Sequence, residues 1–365
     1  METRIETGFG SLSHKEVLEL NRDYVQSART ARLRYVTDTI EGIERVKKGS
    51  GFAYYFRGAL VRNEEELQRI KKLAIPPAWS RVWICPFHNG HIQATGYDVR
   101  NRKQYRYHTT WASVRSETKF HRLYEFGKAL PALRLCIEQD MQLKTLNQQK
   151  VVATIISLME RTYIRIGNED YKRLNGSHGI TTLRDNHVKI NGNELRFSFT
   201  GKKGINQSVS LKNARLARAV KQCRDIPGKV LFQYFDEEGQ RQPVESGMVN
   251  EYIREATDGD FTAKDFRTWA GSLNLLRSLC VIGDAESKTE CKRNILLALD
   301  EVSRKLGNTR SVCRKYYVHP GLIELYEKQS LSRYLKDLDV IEEPDKKADL
   351  TSDEKVFMKI LKALH

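Results

Sequence analysis

The strongest constraint on the fold is a change of character near Thr110. Before it, short β-branched and aromatic runs alternate with turn signals, as in a small β domain. Tyr35-Val-Thr-Asp, Phe52-Ala-Tyr-Tyr-Phe, Arg81-Val-Trp-Ile-Cys85, His91-Ile-Gln-Ala-Thr-Gly-Tyr97 and Lys103-Gln-Tyr-Arg-Tyr-His108 read as strands. Asn89-Gly90 supplies a hairpin turn. Residues 64–73 read as a short helix that stops before Pro76-Pro77. Beyond Thr110 the spacing turns helical. Residues 111–134 are rich in charged helix formers, with a break expected at Pro131. Residues 150–166 carry apolar positions at Val152, Ile155, Ile156, Met159, Tyr163 and Ile166, one face of a helix. Residues 179–183, 187–190, 194–199 and 206–211 form a β segment. Its turns, Asn191-Gly192 and Gly201-Lys-Lys-Gly204, point to a three-stranded antiparallel sheet. Residues 213–224, 247–256, 262–280 and 287–306 return to helical spacing. The fold class expected is therefore α+β: a small antiparallel-β N-terminal domain and a larger, mainly α-helical domain with a three-stranded sheet. The expected boundaries are a polar extension over 1–33 with one short helix near 15–26, a β-rich domain over 34–113, the helical domain over 114–337, and a loosely packed helical tail over 338–365. A short connector is expected at 110–117.

With 365 residues, 40% of them hydrophobic, there is material for two or three cored domains. Lys and Arg number 62 against 46 Asp and Glu, a net charge of +16. Such a field attracts polyanions, nucleic acid first among them. No apolar run is long enough to span a bilayer and no apolar leader opens the chain, so a cytoplasmic protein is expected. The six cysteines are scattered without a CxxC pair, as in reduced, buried thiols. His88-Asn-Gly-His91 reads as a turn rather than a metal pair, because no Cys or carboxylate cluster accompanies it. Gly201-Lys-Lys-Gly204 lacks Walker A spacing. No metal, cofactor or nucleotide is expected.

Chemistry concentrates near the end, in Leu306-Gly-Asn-Thr-Arg-Ser-Val-Cys-Arg-Lys-Tyr-Tyr-Val-His-Pro320. A free phenol titrates near ~10, and neighbouring cations favour the phenolate while holding a phosphodiester. An isolated Arg-Lys-Tyr-Tyr reads first as a solvated surface. Residues 103–108 also admit two readings. Alternation sets Gln104, Arg106 and His108 on one face and Tyr105 and Tyr107 on the other. The strand is either a nucleic-acid contact or an amphipathic strand with core tyrosines. Lys202, at a glycine-flanked tip, is exposed and by itself only a solvated turn residue.

Four ordered motifs join these pieces: Tyr163-Ile-Arg-Ile-Gly-Asn-Glu169, Phe197-Ser-Phe-Thr-Gly-Lys202, Phe261-Thr-Ala-Lys-Asp-Phe-Arg-Thr-Trp269 and the 306–320 stretch. Together they resemble the catalytic domain of type IB DNA topoisomerases, especially the bacterial and poxvirus-like branch. Leu73-Ala-Ile-Pro-Pro-Ala-Trp79 through Tyr107 is similar to the family's DNA-clamping domain. The resemblance covers about residues 35–335.

The resemblance implies Tyr317 as nucleophile, with Tyr316 a bystander at a position that is often Ser. It implies Arg165 and Arg267 as the catalytic arginines, Lys202 as the catalytic lysine, and Asn308 at a fifth position where many relatives carry His. An amide there donates a neutral hydrogen bond but does not titrate. DNA-contacting positions fall on Gln104, Tyr105, Tyr107, Tyr171 and Lys264. The implied activity is relaxation of supercoiled duplex DNA without ATP, through a 3′-phosphotyrosyl intermediate, by a monomer clamping the duplex on the nucleoid. A tyrosine recombinase shares the chemistry but usually shows His-x-x-Arg where this chain has Lys264-Asp-Phe-Arg267. A non-catalytic, architectural DNA-binding protein would account for the charge but not for the motifs.

Overall fold

Among the described residues (23–335 and 348–364 of the computed structural model, apart from the side chains of 116–118, 170, 171, 174 and 203) the chain divides into two units between Arg122 and Leu123. The first opens with α1 (Tyr24–Thr30) and is built on β1 (Ile43–Lys48), β2 (Gly51–Phe56), β3 (Ala59–Leu60), β4 (Ser80–Ile84), β5 (Ile92–Tyr97) and β6 (Lys103–Tyr107), with α2 (Glu64–Lys72) between β3 and β4. These strands form one antiparallel sheet in the order β3-β2-β1-β4-β5-β6. Helix α2 starts where it does because Asn63 Oδ1 accepts the Glu66 amide at 2.9 Å and three glutamates fill the first turn. It lays Ile70 on the sheet, against Ile43, Val82, Ile84 and Ala94.

The second unit is organised around two buried helices. Helix α3 (Thr109–Asp140) leads into it. Helix α4 (Gln148–Thr162) is buried on nearly every face, with Val151, Val152, Ile155, Ile156 and Leu158 inside. Next come α5 (Glu169–Asn175) and a three-stranded antiparallel sheet of β7 (Val188–Asn191), β8 (Glu194–Thr200) and β9 (Asn206–Lys212). Helix α6 (Ala214–Arg224), a small β10 (Gln233–Phe235) and β11 (Arg241–Pro243) ribbon, and α7 (Ser246–Thr257) lead to α8 (Ala263–Ile282), the second buried helix. Helices α9 (Lys288–Leu306), α10 (Arg310–Tyr316), α11 (Pro320–Glu327), α12 (Ser332–Leu335) and α13 (Ser352–Leu364) complete the chain. Helices apolar all round belong inside a domain, and α4 and α8 carry the core.

The two-part α+β architecture agrees with expectation; several details do not. Residues 110–117 are no connector but part of α3, and Pro131 lies inside that helix without ending it. Leu130 and Leu133 beside the proline are buried, and their packing offsets the roughly 3 kcal/mol that an interior proline costs. Residues 35–38 form no strand. The Val36 amide goes to His91 Nδ1 at 3.0 Å, and the Asp38 carboxylate takes Thr95 and Lys103, so side chains replace a ladder. Residues 179–183 hold a 3-10 turn (Ile180–Thr182) rather than a strand. The helix expected over 150–166 ends at Thr162, because Tyr163 takes left-handed angles, φ 56°. The stretch expected as a loose tail ends in α13, whose Val356, Phe357, Ile360 and Leu361 are buried. Of the helix expected near 15–26, residues 15–22 lie outside the described residues; α1 begins at Tyr24, and its Ala28 packs with Leu33 and Trp111.

Candidate active site

Five polar side chains singled out from the sequence come together in the second unit. Their supports are the end of α4, the β8–β9 tip, the first turns of α8, the loop from α9 to α10, and the end of α10. Arg165 follows the left-handed turn at Tyr163, and its carbonyl accepts the Ile180 amide at 2.8 Å. A tyrosine in that conformation is strained by roughly 1–2 kcal/mol. The strain has a local use: it turns the Tyr163 carbonyl to the guanidinium of Arg267, which donates to it through Nη1. Arg267 Nη2 donates to the Leu306 carbonyl at 2.8 Å, where α9 ends. One buried arginine thus ties the ends of α4 and α9 to α8.

The loop after α9 is just as constrained. Gly307 closes the helix at φ 57°, and Asn308 follows. Arg165 Nη2 donates to the Asn308 carbonyl oxygen, and reaches the Gly307 carbonyl at 3.4 Å. Because a guanidinium only donates, the amide oxygen must face Arg165, which leaves the Asn308 NH₂ as a free-standing donor inside the site. Asn308 Nδ2 and Arg267 Nε are buried and find no acceptor among the described residues. Each such orphan costs about 1–3 kcal/mol unless something is brought to it. Two of them beside a phenol mark a place for an oxygen-rich ligand.

That phenol belongs to Tyr317, at the C-terminal cap of α10. Its position is set through its backbone. Gly271 on α8 leaves no room for a side chain, since a Cβ there would lie 2.4 Å from the Tyr317 carbonyl oxygen. Ser272 Oγ donates to that same oxygen at 3.3 Å and accepts the His319 amide at 2.9 Å. The Arg267 guanidinium carbon stands 5.1 Å from the Tyr317 ring centroid. Burial pushes the phenol pKa up, but the charge and hydrogen bond of Arg267, then the charges of Arg165 and Lys202, outweigh it and hold the group below its ordinary 10.0. Burial, and then repulsion from Arg165, bring Arg267 down to about 10, still protonated at neutral pH. Lys202 is exposed in the turn Lys202–Gly204 at the tip of the β8–β9 hairpin. Tyr316, next to the nucleophile candidate, is 49% exposed.

The remaining residues divide. Lys264 sits exposed on the first turn of α8, three residues before Arg267. Tyr105 and Tyr107 belong to the first unit and point outward from the edge strand β6, their rings parallel with centroids 5.8 Å apart. That removes the core-tyrosine reading of this strand. Gln104 turns to the opposite side and donates to Asp98 Oδ2 at 3.1 Å, so it shares no face with the tyrosines. The side chain of Tyr171 lies outside the described residues. Sequence reasoning missed the Tyr163 carbonyl and the Gly271-Ser272 pair. The only signal for the latter was two small residues within the buried α8.

Comparison with known proteins identifies the family. The family model of the eukaryotic DNA topoisomerase I catalytic core matches residues 108–341. That of the bacterial DNA topoisomerase IB N-terminal domain matches residues 51–98. The DNA topoisomerase 1B of Acanthamoeba polyphaga mimivirus is 35% identical over 301 residues, covering 79% of this chain and 88% of the relative. The DNA topoisomerase 1B of vaccinia virus (strain Copenhagen) is 22% identical over 237 residues, 63% of this chain and 71% of the relative. Neither the recombinase nor the architectural reading is favoured by these matches. This chain belongs to the type IB DNA topoisomerase family.

Proposed function

We propose that this enzyme relaxes supercoiled duplex DNA, with Tyr317 as its nucleophile. Tyr317 Oη attacks a backbone phosphorus in line. The new O–P bond forms a 3′-phosphotyrosyl link as the bond to the 5′-oxygen breaks, and the phenol proton passes to solvent. Negative charge gathers on the non-bridging oxygens. Arg165 and Arg267 meet it with charge-assisted bonds, and Asn308 Nδ2 adds a neutral one. Positioned donors of this kind are worth on the order of ~3 kcal/mol each. The departing 5′-oxygen takes a proton from Lys202, a role worth roughly 10²–10⁴-fold. The freed 5′ end swivels and then attacks the phosphotyrosyl link, restoring the strand and the phenol. One ester is exchanged for another of similar energy, so the cycle consumes no nucleotide. Lys264, Tyr171, Gln104 and the paired faces of Tyr105 and Tyr107 contribute DNA contacts, and the protein works as a monomer, on the nucleoid.

The observation that carries this reading is the Arg267 guanidinium over the Tyr317 ring, with Arg165 on Asn308 and lining one cleft with Lys202; these cations also hold the phenol below its ordinary value against burial. Supercoiled plasmid incubated with the protein in EDTA, without ATP, is expected to relax and to yield a denaturation-resistant adduct at Tyr317. Tyr317→Phe is expected to bind DNA but form no adduct. Adduct formation that persists in Tyr317→Phe and disappears in Tyr316→Phe would move the nucleophile by one residue.

A further inference from the structure

The β8–β9 hairpin is regular to its last pair, Thr200 opposite Asn206, and the tip that carries Lys202 hangs beyond it. Along β9 the half-buried positions are Gln207, Val209 and Leu211, with exposed residues between them. An amide therefore stands at the site end of an otherwise aliphatic stripe. Gln207 is pressed between two glycines from different parts of the chain. A Cβ on Gly201, the residue before Lys202, would lie 2.9 Å from Gln207 Cγ. A Cβ on Gly307, the residue before Asn308, would lie 2.4 Å from Gln207 Oε1 and 2.8 Å from Nε2. Gln207, Lys202 and Arg165 also line one small cleft, together with His178 and Lys305. One side chain thus spans from the base of the lysine turn to the loop that seats Asn308 and receives Arg165.

We infer that Gln207 is a positioning residue: its packing between Gly201 and Gly307 sets the register of Lys202 against the phosphate clamp. This rests on the reading of Lys202 as the general acid. A tip anchored only by its own hairpin would carry an exposed lysine through many positions, and proton transfer requires hydrogen-bond reach. A misplacement of about 1 Å is enough to cost ~10²-fold.

The test is single-turnover cleavage of two duplexes that differ in one atom, the bridging 5′-oxygen or a 5′-sulfur in its place. A thiolate, whose conjugate acid titrates near ~8.5, departs without needing a proton. Gln207→Ala is expected to cleave the oxygen substrate at least ~10-fold more slowly than the unmodified enzyme, and the sulfur substrate at nearly the same rate. Gln207→Met, which keeps the length of the side chain, is expected to recover most of the loss on the oxygen substrate. Lys202→Ala serves as reference and is expected to be rescued by sulfur. If Lys202→Ala is rescued but Gln207→Ala is equally slow on both duplexes, or unaffected on the oxygen duplex, the positioning role is wrong. If Lys202→Ala stays slow on the sulfur duplex, the general-acid assignment itself fails, and this inference with it.

Discussion

Arg267 ties three helices together at the candidate site. One N–H of Nη1 and one of Nη2 go to the carbonyls of Tyr163 and Leu306, and buried Nε finds no acceptor among the described residues, so donors remain for a further oxygen. The side chain is therefore both a brace and a clamp, and lysine cannot replace it, since a point ammonium lacks the fork. Asn308 differs in kind: Arg165 holds its oxygen, and its NH₂ offers a neutral bond. Charged hydrogen bonds are worth about 1.5–3 kcal/mol and neutral ones about 0.5–1.5. Single-turnover cleavage by Arg267→Ala is thus expected to fall by ~10²–10³-fold, and by Asn308→Ala by ~10-fold. A larger loss in Asn308→Ala than in Arg267→Ala would reverse the assignment of the two donors.

Among the elements, α13 is the one that sequence patterning undervalued. It reaches α8 through charge as well as packing. Arg134 of α3 donates to Glu354 and to Glu160 of α4, both at 2.7 Å, and the Trp269 indole of α8 donates to Glu354 at 3.2 Å. Arg277 of α8 pairs with buried Asp353. Burial alone would raise the Glu354 pKa; the hydrogen bond and charge of Arg134, helped by the Thr351 amide and Trp269, hold it below its ordinary 4.5 instead. A carboxylate depressed in the fold stabilises fully above its unfolded value, and that contribution is lost as pH falls through the folded value. Glu354→Gln is expected to lower stability at pH 7 by about 3 kcal/mol, the cost of breaking one partner out of a buried pair. The difference from the unmodified protein is expected to shrink toward zero once the pH is below the folded pKa. Urea midpoints measured down the acid range check this; a gap that widens with acidity would contradict it.

Over the whole molecule the relevant quantity is charge. The chain carries a net charge of +16, and phosphate contacts are expected to dominate its affinity for DNA. Observed binding constants then fall with log salt at a slope of about −0.9 per phosphate neutralised. For a 20–30 base-pair duplex the expected slope is steeper than about −5, as for six or more phosphates. A filter-binding series in potassium chloride measures it, and a slope near zero would refute a phosphate-led interface. Among the described residues no helix is long and apolar enough to cross a membrane.

Much of the fold was legible in the order of residues because it rests on short-range rules. Apolar spacing marked α6 to α9 and the Asn191-Gly192 turn marked the β7–β8 hairpin, while β1 was not anticipated. Arg165, Lys202, Arg267, Asn308 and Tyr317 were named differently, from the resemblance of their motifs to those of type IB topoisomerases. What the order of residues left open depended on partners far away in it. Pro131 sits within a helix because buried leucines flank it, and residues 35–38 form no strand because a distant histidine claims the Val36 amide. Tyr105 and Tyr107 face outward, which alternation alone left undecided. That an amide on β9 lies against both Gly201 and the distant Gly307, or that a serine on α8 holds the Tyr317 backbone, is a fact of three-dimensional proximity, and only packing creates it.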